Sequence, residues 1–127
     1  MIERAPHTAA CLFALSFLSG LTACASPSFE AARPQIVGGW VIQGGECESD
    51  AGVVYRSNGT FAAYDVSGAW KITGDQLITQ IVTRGEPGEP VTKVHPPERA
   101  ASTIIVASPE YHVLRREDGQ VHKFRRC

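Results

Sequence analysis

Gly52-Val53-Val54-Tyr55-Arg56-Ser57-Asn58-Gly59-Thr60-Phe61-Ala62-Ala63-Tyr64 is the stretch that decides how this chain folds. Two β-prone runs, 52–57 and 60–64, flank Asn58-Gly59. That pair suits a two-residue type I′ turn, whose central positions both take positive φ. The reading is an antiparallel hairpin, and the same grammar continues on either side. Downstream, a connector at Val66–Gly68 leads to Ala69–Thr73. This run joins Gln76–Val82 across Gly74-Asp75, where a leading glycine suits a type II′ turn. Tyr111–Arg115 joins Val121–Arg126 across Asp118-Gly119, and the β-branched run Ser102–Ala107 is turned by Ser108-Pro109. Upstream, Gln35–Ile42 opens the series and Gly44-Gly45 breaks it. The pattern is about eight short strands in an antiparallel meander, with no useful helical period beyond residue 24.

Two segments depart from this regularity. In Gln76–Val82 the apolar residues Leu77, Ile78, Ile81 and Val82 do not alternate, which implies a strand covered on both faces or bulged. Arg84–Ala100 contains Pro87, Pro90, Pro96 and Pro97 with Gly85 and Gly88. It is expected to be the longest loop, with at most a short edge strand at Val91–His95.

The N-terminus has a different composition. Met1–His7 is polar with Arg4 as its cation, Ala9–Ala23 is apolar, and the run ends at Leu21-Thr22-Ala23-Cys24. It is too short for a stable span of about 18 to 20 residues and reads as a cleaved export signal. Leu at the third place before the cysteine and Ala directly before it resemble the lipobox of bacterial lipoproteins. The resemblance implies a diacylglyceryl group and a fatty acyl chain on Cys24, hence stable membrane attachment, since two or more chains anchor where one does not. The absence of Asp at position 25, which holds Ala25, implies the outer membrane. The expected organisation is a signal peptide at 1–23, a lipidated tether at 24–34 and a β-barrel domain at 35–127.

Of the 127 residues, 104 remain after removal of the first 23, enough for one domain with a modest core. The formal charge is −1, which gives no bulk attraction to nucleic acid. The one local bias is basic: Arg115, Arg116, Lys123, Arg125 and Arg126, which reads as a solvated strand face or a site for anionic lipid or an acidic partner. With Cys11 in the signal and Cys24 taken by lipid, Cys47 and Cys127 remain and are expected to pair in an oxidising compartment.

Gly38-Gly39-Trp40, Asn58-Gly59-Thr60-Phe61, Gly68-Ala69-Trp70-Lys71-Ile72, Gly74-Asp75-Gln76-Leu77 and the terminal Arg126-Cys127 together resemble small lipocalin-like β-barrels. The resemblance implies a closed all-β barrel in which Trp40 plugs one end beneath Arg125 or Arg126. The chain is shorter than a true lipocalin and shows no C-terminal helix signal. Trp40, Trp70, Phe61, Tyr55, Tyr64, Tyr111 and Phe124 are expected to fill the interior.

Catalytic patterns are missing from the sequence: there is no nucleophile elbow, no HExxH and no phosphate-cradling glycine loop. Glu46, Glu48 and Asp50 beside Cys47 read as a solvated acidic turn. Pairing about Asp118-Gly119 sets residue 112 opposite 125, which puts His112 and His122 on opposite sheet faces and expects no metal there. The expected function is therefore non-enzymatic and without cofactor. It is that of an envelope lipoprotein facing the periplasm, held to the membrane through Cys24, that binds a small apolar ligand or a protein partner. The alternatives are a periplasmic inhibitor of a lysozyme or protease, using Arg84–Ala100 as its inserting loop, and a structural envelope protein.

Overall fold

The computed structural model describes residues 32–127. The expected export signal, Cys24 and most of the expected tether lie outside the described residues. A single helical turn, α1 (Arg33–Ile36), precedes eight strands: β1 (Gly38–Ile42), β2 (Gly52–Tyr55), β3 (Thr60–Ala63), β4 (Val66–Thr73), β5 (Gln76–Arg84), β6 (Thr92–Ala107), β7 (Tyr111–Arg116) and β8 (Val121–Arg126). Consecutive strands pair antiparallel, and β8 returns to pair with β1, so the meander closes into a barrel without free edges. Pro34 sits in the first turn of α1, where a fixed φ and a missing N–H cost nothing. Thus α1 begins inside the segment expected to be tether.

The hairpins form where expected, but their turns differ. In the β2–β3 hairpin the Arg56 N–H donates to the Thr60 carbonyl at 2.8 Å, and the Gly59 N–H donates to the Arg56 carbonyl at 3.1 Å. Three residues, 57–59, form the loop rather than the two of a type I′ turn. Gly59 takes φ 85°, and Asn58 Oδ1 accepts the Thr60 N–H at 3.0 Å. The β7–β8 turn repeats this arrangement: Arg116 pairs with Gln120, Gly119 takes φ 87°, and Asp118 Oδ1 accepts the Gln120 N–H. In both cases an Asx side chain satisfies a backbone donor and the following glycine supplies the left-handed residue. Gly74-Asp75 is a two-residue turn, with Thr73 opposite Gln76 and Gly74 at φ 62°.

The extra loop residue changes the register of β7 on β8. His112 faces Phe124 rather than residue 125, and Leu114 faces His122. A one-residue slip moves every side chain of a strand to the other face. His112 and His122 therefore share the inner face, contrary to the expectation from a two-residue turn.

The expected long loop at 84–100 is mostly strand. Only 85–91 lies outside the strands, and β6 runs sixteen residues from Thr92. Ile81 pairs with Glu98 and Thr83 with Lys93, so residues 94–97 bulge out opposite Val82. Pro96 and Pro97, which have no N–H to give, occupy that interruption, and the strand continues past them. Val82 is also the unmatched residue toward β4, which explains the adjacent Ile81 and Val82, whereas Ile78 lies in regular register on the outer face and is buried there opposite Ala101. The expected connector Val66–Gly68 is likewise the first part of β4.

Gly68 stands at this bulge. A Cβ there would lie 1.7 Å from the Gln80 carbonyl oxygen, a backbone atom that cannot swing away. Gly68→Ala is expected to lower stability by about 3 kcal/mol, at the upper end of overpacking costs, as read from urea unfolding.

The core lies inside the barrel: Ile36, Trp40, Tyr55, Phe61, Trp70, Ile72, Leu77, Ile104 and Leu114. Tyr55 packs edge-on against Trp70 at 5.4 Å between ring centroids. Burial pushes the Tyr55 phenol up to about 12, so it stays neutral. Tyr64 and Tyr111 do not join this core. Tyr64 follows β3 in the turn toward β4 at 42 % exposure, and Tyr111 pairs with the outward Arg125 and so faces out with it.

Candidate functional site

The two ends of the barrel differ in chemistry. The end that receives α1 is closed. Trp40 and Ile36 are fully buried there, and the Trp40 indole N–H donates to the Ile36 carbonyl at 2.7 Å. The Arg126 guanidinium lies 4.2 Å from the Trp40 ring centroid. It donates to the carbonyls of Val37 at 3.0 Å, Gln35 at 2.6 Å and Pro109. One side chain on the last strand thus holds α1 against the barrel and stacks on the tryptophan of the first. Of the two arginines named for this place, Arg126 occupies it. Arg125 points outward and donates to the Gly45 carbonyl, with its Nη1 3.6 Å from Cys47 Sγ. Gly38, at φ 131°, keeps its Cα hydrogen where a Cβ would meet Arg126 Nη1. A second guanidinium, Arg33, covers Trp70 at 4.1 Å.

The other end carries the β1–β2 and β5–β6 loops and two short turns. Directly opposed residues of an antiparallel pair share a face, so the register identifies what lines the inside there. On each strand the next inward residue toward this end can be read in turn. After Trp40 it is Ile42, before Tyr55 it is Val53, and after Phe61 it is Ala63. Before Trp70 it is Gly68, and after Leu77 it is Thr79. On β6 it is Ser102, on β7 Arg116 and on β8 His122. Most of these are small, whereas the layer below is built from Trp40, Tyr55, Phe61, Trp70 and Phe124. The lower half is filled by rings. The upper half is lined by half-buried short side chains, with Ser102, Arg116 and His122 supplying polar groups along one side.

On the outer rim of this end, Asp50, Glu86 and Asp65 surround the exposed Tyr64 and raise its phenol above the ordinary range, Asp50 contributing most. Arg84 pairs with Glu98 at 2.8 Å and Asp65 at 3.8 Å, exposed contacts worth little to stability. Arg84 and Asp65, with Gly85, Glu86 and Pro90, line a cleft of about 550 Å³ beside the 85–91 loop. Glu46, Glu48 and Asp50 are exposed on the β1–β2 loop.

Protein-family models, curated proteins and solved structures were compared with the chain, and none matches. The site therefore stands on its own residues.

Cys47 and Cys127 form a disulfide with Cα atoms 5.6 Å apart. It ties the β1–β2 loop to the end of β8, and that loop covers the outward-facing Val41, which is fully buried. Cys24, the proposed lipidation residue, lies outside the described residues. Among the described residues no group of three His, Cys, Asp or Glu is placed to hold a metal. The five basic residues of the C-terminus separate: Arg115, Lys123 and Arg125 face outward, while Arg116 and Arg126 lie on the inner face at opposite ends.

His112 was not anticipated as a core residue. It is fully buried, 4.3 Å from the Trp40 ring and 5.0 Å from Phe124, and neither ring nitrogen has a hydrogen-bond partner. Burial, with a smaller contribution from Arg126, lowers its pKa from 6.5 to about 4. The unfolded chain therefore takes up the proton first. Stability is full above about pH 6.5, declines as the pH falls toward about 4, and loses about 3 kcal/mol in all through this group. His112→Leu should abolish this component and raise stability at neutral pH, because it removes two buried polar atoms without partners. Urea midpoints of both proteins between pH 4 and 8 check this.

Proposed function

We propose that this is a non-enzymatic, lipid-anchored protein of the bacterial cell envelope that holds a small, largely apolar ligand in the open half of its barrel. The observation that carries this reading is the change in side-chain size along the interior. Five rings close one half, and Val53, Ala63, Thr79 and Ser102 leave the other lined by short groups. Phe124 and Ile81, both half-buried, offer an apolar floor and wall, and His122, whose Nε2 is buried without a partner, offers one hydrogen-bonding atom. A ligand with an apolar body and one polar group fits that lining.

Anchoring rather than spanning is supported by the outer wall. Lys71, Gln80, Arg115, Lys123 and Arg125 face outward on strands mostly shorter than the 9 to 11 residues a membrane barrel needs. The alternative of a hydrolase inhibitor has less to rest on, since most of its candidate inserting loop is strand β6 and only 85–91 projects.

The test is native mass spectrometry of the protein purified from its own membranes in mild detergent. The expected result is a non-covalent adduct on the wild type that is lost in Ala63→Trp, a substitution that fills the open half. A wild type free of adduct, or an Ala63→Trp protein that keeps it with its stability intact, would contradict the proposal.

A further inference from the structure

The register of β7 on β8 gathers three of the C-terminal cations on one outer wall. Arg115 stands opposite Val121, Lys123 opposite Val113 and Arg125 opposite Tyr111. Cations and apolar side chains thus alternate across the ladder. Val121 is 55 % exposed, and Ile105 on the adjoining β6 is 42 % exposed. Lys123 Nζ lies 4.2 Å from the Tyr111 ring centroid, its alkyl stem against the wall and its charge outward. Among the described residues the ion pairs are those of Arg84, so Arg115, Lys123 and Arg125 form no salt bridge there, although Arg125 donates to the Gly45 carbonyl of the β1–β2 loop. The chain's formal charge is −1, which makes this wall a local excess rather than part of a basic protein. Glu117 and Asp118 sit in the β7–β8 turn at one end of this wall and Glu46 and Glu48 on the loop that Arg125 holds, while Asp65, Glu86 and Glu89 lie on the other loops of the open end.

We infer that the β7–β8 wall rests on the anionic phospholipid headgroups of the bilayer to which the chain is tethered. This rests on the lipoprotein reading proposed above. Alternation of cations with exposed aliphatic groups suits a bilayer interface, where guanidinium and ammonium meet phosphates while Val121 and Ile105 reach the acyl boundary. Fully stretched, the nine residues from Cys24 to Arg33 reach about 30 Å, enough for an anchor to serve a wall as well as an end. Arg125 is held by the Gly45 carbonyl, and the two remaining cations, Arg115 and Lys123, strengthen contact with an anionic surface about fivefold each, about 25-fold together. The barrel then lies on its side, with its open end free of the lipid.

The test is a lysine footprint on the intact lipidated protein in vesicles of phosphatidylcholine, with or without an equal part of phosphatidylglycerol. Acetylation is read at Lys123, at Lys93, and at Lys71 on the outer face of β4. Phosphatidylglycerol is expected to slow acetylation of Lys123 about tenfold and leave Lys71 and Lys93 unchanged. High salt should remove the protection by screening, and Arg115→Glu should shrink it. Equal reactivity of Lys123 and Lys71 in both vesicles would overturn the inference. So would protection of Lys123 that needs added envelope protein and not phosphatidylglycerol, which would assign the wall to an acidic protein. The mass of the Cys24 peptide from the same sample reads the anchor separately. If it carries no lipid, the lipoprotein reading fails, and the footprint of that chain added to the same vesicles still decides the wall.

Discussion

Replacing Cys47 and Cys127 together by serine is expected to lower the stability of the oxidised protein by about 4 kcal/mol. The bridge joins residues 80 positions apart. By the loop-closure argument, removing a cross-link of that span returns about 4 to 5 kcal/mol of chain entropy to the unfolded state. In the folded state the change also frees the β1–β2 loop, leaving Arg125 to hold it through the Gly45 carbonyl and exposing the buried Val41. For a domain of this size the loss is a large share of total stability. Urea unfolding of the double variant, and of the wild type under dithiothreitol, checks this. The two curves should coincide, well below that of the oxidised wild type. A difference under about 1 kcal/mol would mean that the β1–β8 ladder holds the closure without the bridge.

Trp40→Ala should cost about 4 kcal/mol, the usual loss for a buried aromatic truncated in a core that cannot collapse around the gap. Three contacts go together: the indole bond to the Ile36 carbonyl, the edge-on packing of His112 and the face that Arg126 covers. Arg126→Gln removes the guanidinium from the carbonyls of Gln35, Val37 and Pro109, and so should loosen α1. Because the two side chains stack, their effects should not add. A double-mutant cycle is expected to give a coupling of about 1 kcal/mol or more, measured by denaturant unfolding. Additive losses would separate the indole from the guanidinium energetically and remove the closed end's joint support.

Turn chemistry made the barrel legible. Asn58-Gly59, Gly74-Asp75 and Asp118-Gly119 each lie between β-prone runs, and each joins two strands as read. Turn length was not legible. Asx-Gly serves both a two-residue turn and the last two places of a three-residue one, and only the surrounding ladder chooses between them. That single residue decided the faces of His112 and His122, so the polar side of the open half could not be located beforehand. Proline misled in the same region for a related reason. Pro96 and Pro97 bar a regular ladder, but they cannot show that a bulge opposite Val82 absorbs them and lets β6 continue to Ala107. Aromatic residues were easier to place on strands than on faces: Tyr55, Phe61 and Trp70 turned inward, whereas Tyr64 fell at a turn and Tyr111 faced out. The unpaired, buried His112 had no signal in the sequence, because nothing local distinguishes a core histidine from a surface one.

The proposed membrane attachment through Cys24 underlies both the envelope function and the lipid-facing wall. Growing the native host with radiolabelled palmitate and isolating the protein measures this directly. Label is expected on the wild type and none after Cys24→Ser. A wild type without label, or equal label on the Cys24→Ser chain, would contradict it.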